Sequence, residues 1–200
     1  MFDRIALKLS KPLVDAVADR AHRAGYTADQ VTLAAFGLGM VSALLIALGH
    51  STLAILPLLA GRILDGLDGA LARLSQTTDR GAFLDISLDF LFYAAVPLAF
   101  ATIDPLASAV LLAAFIGTGT SFLAYAIIAE KRGDKSTVYP SKAFYYLGGL
   151  AEGTETITCF VLMCLWPQHF ALFAYIYATM CCVTTVTRLV AGWKSFATKN

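Results

Sequence analysis

The chain has 200 residues, of which 58% are hydrophobic and only 14% charged, and its mean hydropathy is +0.70. A soluble domain of this size is usually about half apolar and about a quarter charged, so the composition excludes an ordinary soluble fold and describes an integral membrane protein. A net charge of +1 with no basic tail offers no nucleic-acid signature, and no nucleic-acid partner is expected.

Residues 2–24 place Ile5, Leu9, Leu13 and Val17 on one stripe, with Lys8, Lys11, Asp15 and Arg23 on the other. That pattern predicts an amphipathic helix lying in the membrane interface. No secretory signal peptide is expected, since the segment lacks a short apolar core followed by a small-residue cleavage site. Gly25, Tyr26 and Thr27 break the helix, and Thr27 with Gln30 forms the pattern of a capping box. Six apolar segments follow, at about 28–49, 52–75, 81–103, 106–129, 143–165 and 170–193. Each has roughly the 20 residues a spanning helix needs. The expected fold is therefore an all-α integral membrane protein of six transmembrane helices, preceded by the interfacial helix and forming a single domain over residues 1–200.

Lys and Arg gather in the first helix, near the 75–81 turn, in the 130–142 loop and at the C-terminal end, whereas the turns at Ser51, Asp104 and Gln168 have none. By the positive-inside rule both termini face the cytoplasm. Cys159, Cys164, Cys181 and Cys182 lie in apolar segments without metal-ligand spacing, and read as small core residues.

Four carboxylates interrupt the second and third spans: Asp65 and Asp68, then Asp85 and Asp89. Spacings of three and four put each pair on one helix face. Acids at membrane depth are costly and are functional candidates by default. If the two spans pack antiparallel, all four converge into an oxygen-rich cluster suited to hard divalent cations. Gly69 permits close approach of a ligand or a neighbouring backbone, and Arg73 offers a cationic fork for phosphate oxygens. A purely structural cluster has only Arg62, Arg73 and Arg80 nearby to balance four charges. A cation-coupled transporter is the competing class, weakened by the short chain and the absence of an inverted repeat.

Read together, Asp65-x-x-Asp68-Gly69-x-x-Ala72-Arg73 and Gly81-x-x-x-Asp85-x-x-x-Asp89 resemble the signature of the CDP-alcohol phosphotransferase (CDP-alcohol phosphatidyltransferase) family. Residues 27–32 also look like the segment opening that family's first span, and the likeness covers most of the chain. Two departures stand out. Seven residues separate Arg73 from Gly81 where the family pattern has eight, and Asp29 stands where the family usually has Asn.

The resemblance implies a phospholipid-synthesising transferase that moves a phosphatidyl or other substituted phosphate group from a CDP-linked donor to an alcohol hydroxyl, releasing CMP. It implies Asp65, Asp68 and Asp85 as the main ligands of Mg2+ or Mn2+, as two ions, with Asp89 completing the cluster and serving as general base. Asp68, Gly69, Ala72 and Arg73 would contact the CDP moiety. CDP-diacylglycerol is the expected donor, the alternative being a soluble CDP-alcohol with a lipid acceptor. A homodimer in the bacterial inner membrane with a cytoplasmic active site is also implied.

The acceptor is approached through a second polar group in span five, Glu152 and Glu155, with Lys142 and with Arg188 of span six. The two glutamates either bind the acceptor alcohol or pair with Lys142, Arg132 or Arg188, and Arg188 is either a phosphate ligand or an ion-pair partner. Residues 121–127 contain no basic side chain where members using phosphorylated acceptors carry them, and carboxylates accept hydrogen bonds and attract cations. These points favour a small uncharged or amine-bearing alcohol.

Overall fold

The computed structural model describes residues 3–133 and 149–197, with side chains from residue 12 onward, and all regular structure among them is helical. Seven α-helices follow in order: α1 Asp3–Arg23, α2 Ala28–Ala47, α3 Ser51–Leu74, α4 Asp79–Ala99, α5 Pro105–Lys131, α6 Gly153–Leu165 and α7 Phe170–Phe196. Short 3-10 turns extend α4 at Phe100–Thr102 and precede α7 at Pro167–His169.

Local chemistry explains most boundaries. Thr27 and Gln30 close the capping box, the Gln30 amide donating to the Thr27 hydroxyl at 3.3 Å and the Thr27 amide to Gln30 Oε1 at 3.1 Å. Thr78 accepts from the Gly81 amide at 3.0 Å to start α4, and Asp104 accepts from the Ala107 amide at 2.9 Å ahead of Pro105 to start α5. Gly25 and Gly49 end α1 and α2 with φ of 84° and 83°, the left-handed region that glycine enters without steric cost.

Among the described residues four helical segments are long and apolar enough to cross a membrane: Ala28–Ala47, Asp79–Thr102, Pro105–Lys131 and Pro167–Phe196. The second expected span is also a continuous helix, α3, of 24 residues, but its charges set it apart from those four. The fifth differs from expectation. Residues 134–148, including Lys142, lie outside the described residues, and helix begins only at Gly153. Residues 149–152 are not helical because their backbone is engaged elsewhere. The Leu150 and Ala151 amides donate to Thr184 Oγ1 of α7 at 3.1 and 2.9 Å. A Cβ at Gly149 would stand 2.3 Å from Thr184 Cγ2, so only glycine lets the chain approach there.

Packing partners run from α3 to α2, α4, α5, α7, α6 and back to α3, and α1 lies against α3. One buried cluster joins the six helices α2 to α7, centred on Leu58, Phe92, Phe100, Leu111, Phe160 and Phe170. Phe100 and Phe170 stack at 4.6 Å between ring centroids. A smaller cluster of Ala18, Val31, Leu67, Ala70 and Leu71 fixes α1 behind the acidic half of α3. The outward faces remain apolar, with Leu44, Leu56, Ile63, Leu98, Ile116 and Leu189 exposed, as helices facing lipid require.

The expected antiparallel contact of the second and third spans is replaced by a different arrangement. α3 and α4 both pack on α2 rather than extensively on each other. Glycines make the α2 contacts possible. A Cβ at Gly61 of α3 would stand 2.9 Å from the Ala35 carbonyl oxygen of α2, and one at Gly39 of α2 would stand 2.6 Å from the Phe92 ring of α4. Gly61→Val therefore separates α2 from α3 and is expected to cost about 1–3 kcal/mol, read as a lower thermal midpoint in detergent. Gly66→Ala, on the same helix with open space at its Cβ, is expected to leave the midpoint unchanged or raise it.

Candidate active site

The acidic residues occupy the end of the bundle where α2 and α4 begin and α3 ends. Asp65 and Asp68 project from the last turns of α3, Asp85 and Asp89 from the first turns of α4. Asp65, Asp68 and Asp85 each offer a carboxylate oxygen within 4.8 Å of the other two. Asp68 is buried, Asp65 half-buried and Asp85 exposed, so the trio opens from the interior toward one side. Three carboxylate oxygens this close repel one another unless a cation lies between them, and an all-oxygen set fits a hard divalent ion. The connection of α3 to α4, one residue shorter than the family pattern, does not prevent Asp85 from meeting Asp65 and Asp68.

Two further groups complete the geometry. Thr32 of α2 donates to Asp68 Oδ2 at 2.6 Å, and its hydroxyl also lies 3.0 Å from the Ala28 carbonyl oxygen. A hydroxyl has one proton, and the shorter bond to the carboxylate is the stronger of the two. On the other side Arg62, one turn before Asp65, reaches across to α4. Its Nη1 donates to Asp89 Oδ1 at 2.7 Å and lies 3.4 Å from Asp65 Oδ2. Its guanidinium carbon sits 4.1 Å from the centroid of the Phe92 ring. Asp89 thus stands beside the trio, joined to it through Arg62.

Sequence reasoning assigned no role to Thr32 and counted Arg62 only as a nearby compensating charge. The available signals were positional: Arg62 lies at i−3 from Asp65, and Thr32 lies one turn into α2, at the end where the acids gather. Asp29, flagged as a departure from the family pattern, is bonded to Arg80 Nη2 at 2.5 Å and lies beside Gly81, so it ties the start of α2 to the start of α4. Ala72 is half-buried and Arg73 exposed in the last turns of α3, and a Cβ at Gly69 would stand 3.6 Å from Arg73 Nη1.

The acceptor candidates take up a different set of bonds. Glu152 is buried and its Oε1 accepts from the Gly149 amide at 3.0 Å. Its carbonyl accepts from the Thr156 hydroxyl at 2.7 Å, which meets Tyr177 Oη at 2.6 Å. Arg188 is buried and donates from Nη1 to the Thr118 carbonyl at 3.1 Å, with its guanidinium carbon 5.4 Å from the Phe122 ring centroid. Arg188 thus bonds the backbone of α5 from α7, and Glu152 bonds the backbone of the turn that precedes α6. Glu155 lines a cavity of about 280 Å³ between α6 and α7, with Thr154, Thr158, Phe173 and Tyr177. Lys142 lies outside the described residues.

With this geometry the chain can be compared with known proteins. The family model for CDP-alcohol phosphatidyltransferase matches residues 26–193. The chain belongs to that family, and is an integral membrane transferase of phospholipid synthesis. It is 49% identical over 197 residues to the inner membrane protein YnjF of Escherichia coli strain K12, covering 96% of each chain. Its fold is similar to phosphatidylinositol phosphate synthase (PgsA1) of Mycobacterium tuberculosis. The structure of that enzyme with CDP-DAG bound superposes with a TM-score of 0.71 at 21% identity, covering 91% of this chain and 94% of the other. Its complex with manganese and citrate gives 0.69 at 23% identity, covering 90% and 88%.

The fit of the carboxylate trio to a hard cation can be measured without substrate. Asp68→Asn is expected to abolish high-affinity Mn2+ binding, followed by electron paramagnetic resonance on protein in nanodiscs. Thr32→Val, which leaves the carboxylate but frees its orientation, is expected to weaken binding by about tenfold.

Proposed function

We propose that the enzyme transfers the phosphatidyl group of CDP-diacylglycerol to the hydroxyl of a small alcohol and releases CMP. The observation that carries this reading is the meeting of Asp65, Asp68 and Asp85 across α3 and α4, with the fourth acid of the family signature alongside. The donor is supported by the mycobacterial relative in fold, whose structure holds CDP-DAG. A divalent ion is supported by the manganese complex of the same relative and by the all-oxygen character of the trio.

In this reading Asp65, Asp68 and Asp85 would hold Mg2+ or Mn2+, as two ions. Such ions supply positive charge that stabilises the phosphate oxygens as charge develops in the transition state. Asp68, Gly69, Ala72 and Arg73 bind the CDP moiety, the Arg73 guanidinium matching phosphate geometry and Gly69 allowing the nucleotide to lie against the helix. Thr32 holds Asp68 in one orientation, so the donor meets a fixed carboxylate. Asp89 removes the proton from the acceptor hydroxyl. A neutral alcohol is a weak nucleophile and needs such a base beside a charge-stabilised phosphate. The oxygen then attacks the lipid-side phosphorus, the bond to the CMP oxygen breaks, and CMP leaves with that electron pair.

The spans number six in this reading. α3 crosses with its charges turned to the site, and α6 belongs to the fifth span. The site faces the cytoplasm, as the distribution of Lys and Arg supports, and the location is an inner membrane, as the name of the Escherichia coli relative supports. The homodimer rests on the family resemblance alone. The acceptor is an uncharged or amine-bearing alcohol, supported by the absence of basic side chains at residues 121–127. The acceptor pocket is then drawn from Lys142, Glu152, Glu155 and Arg188, of which Glu155 lines the cavity between α6 and α7.

A purified-enzyme screen with labelled CDP-diacylglycerol, Mg2+ and a panel of alcohols, scored by CMP release, tests the whole reading. Turnover is expected with unphosphorylated alcohols. Efficient use of glycerol 3-phosphate or inositol phosphate alone would overturn the acceptor assignment. Asp89→Asn is expected to lower kcat by at least about a hundredfold while donor binding is retained. Loss of donor binding instead would remove Asp89 from the role of base.

A further inference from the structure

Two departures from the family pattern fall at one contact. Arg80 closes the shortened stretch between Arg73 and Gly81, and its Nη2 is bound at 2.5 Å by Asp29, which stands where the family usually has Asn. We propose that Asp29 and Arg80 are a positioning pair: they latch the start of α4 to the start of α2 and thereby set where Asp85 stands relative to Asp65 and Asp68. The proposal rests on the reading of those three acids as metal ligands and adds what places the third of them.

α2 addresses both halves of the trio with one helical turn. Asp29 and Thr32 stand at i and i+3, on one helix face. Thr32 donates to Asp68 of α3, and Asp29 meets the start of α4. Asp29 Oδ1 lies so near α4 that a Cβ at Gly81 would stand 3.2 Å from it, and glycine lets the carboxylate lie against the helix there. Asp85 follows Gly81 at i+4, on the same face and about 6 Å further along the axis. A helix is stiff over a single turn, so a shift of α4 at Gly81 is passed on to Asp85. A second close contact of α2 with α4, Gly39 against Phe92, lies about three turns beyond Gly81. It seats the middle of α4 and leaves the lean of its first turns to be set at Asp29. α3 adds little restraint, since it does not pack extensively on α4.

The charges suit this task. Asp29 lies in the first turn of α2 and approaches the first turn of α4, and both helix ends carry partial positive charge that favours an acid. Arg80, in the first turn of α4, is by itself unfavourably placed for the same reason, and its bond to Asp29 offsets that. An asparagine would bring no charge to either end and would hold Arg80 by one neutral oxygen. The Arg80 side chain is 79% exposed and that of Asp29 21%, so water screens the pair and its effect is expected to be modest.

The test measures Mn2+ binding by electron paramagnetic resonance on metal-free protein in nanodiscs, beside the thermal midpoint. Losing a charge and losing the latch act in opposite directions at Arg80. Removal of a cation near an acidic cluster tightens Mn2+ binding by Coulomb attraction alone, whereas an opened latch weakens it. Arg80→Gln is therefore expected to bind Mn2+ about threefold more weakly, and Asp29→Asn likewise. Asp29→Asn combined with Arg80→Gln is expected to match either single variant, because each already opens the latch. Tighter Mn2+ binding in Arg80→Gln would overturn the proposal, leaving the pair to act only as charges. Unchanged Mn2+ binding in both single variants would also overturn it, even with a lower thermal midpoint, by making the pair a structural tie without influence on the trio. Losses that multiply in the double variant count against it too, since the two residues would then act separately. Arg80→Gln alters a mostly exposed side chain and keeps the test readable if Asp29→Asn fails to fold. If Asp68→Asn binds Mn2+ as the unsubstituted protein does, the metal reading fails by itself, whatever the pair does.

Discussion

Everything at the acidic end depends on α2 being able to approach two neighbours closely at once. Gly61 brings α3 against Ala35 and Gly39, and Gly39 in turn receives the ring of Phe92 from α4. Because both helices rest on α2, they need not rest on each other, and the space between them is filled by side chains instead of by backbone contact. That space is where Asp65, Asp68 and Asp85 meet and where Arg62 crosses to Asp89. Were α3 and α4 packed face to face, the same residues would be pressed against a helix surface and closed to a nucleotide. Thr32 adds to this, since the helix that sets the spacing also orients the most deeply buried of the acids.

The charges concentrated here set the second constraint. Four acids in an apolar bundle repel strongly, and a fixed cation inside the cluster relieves part of that repulsion at all times. Arg62 does so while packed on an aromatic face, and Asp29 with Arg80 makes a second acid–base contact at the rim. The acidic end thus carries internal compensation, whereas the opposite end is consolidated by apolar packing around Phe100 and Phe170. One part of the bundle is built to be stable and the other to hold charge at close quarters.

Much of this was legible from spacing. The capping box at Thr27 and Gln30, the turn at Asp104, and helices over the first four apolar segments and the last follow from local patterns that short-range chemistry decides. The aspartate motif was visible for the same reason, since i, i+3 and i, i+4 relations are properties of a single helix. What escaped was long-range. Nothing in the linear order says that α2 stands between α3 and α4, so the partners of Asp68 and Asp89, 36 and 27 residues away, left only the positional hints of Arg62 at i−3 from Asp65 and Thr32 near the start of α2. Residues 149–152 escaped for a related reason. Their apolar and glycine content continues a span, but Thr184, on another helix, offers their amides a better partner than a helical turn does. Glu152 and Arg188 drew notice because charge in a span invites a ligand or ion-pair reading; their bonds to the Gly149 amide and the Thr118 carbonyl had no signal in the linear order.

The composition of α3 bears on how the protein comes to be in the membrane at all. Ionised side chains near the centre of an isolated helix oppose its insertion by about 2.5–3.5 kcal/mol each, and this one carries Arg62, Asp65 and Asp68 within two turns. Its first half, before Gly61, is uncharged; the burden falls on the half that forms the site. Such a segment is poorly suited to enter lipid by itself and is far better placed once α2 and α4 are beside it, with Asp68 meeting Thr32 and Arg62 meeting Asp89. The bonds that bring the acids together would then also ease that helix in among its neighbours. A substitution that disorders the site thereby endangers the yield of inserted protein before any question of turnover arises.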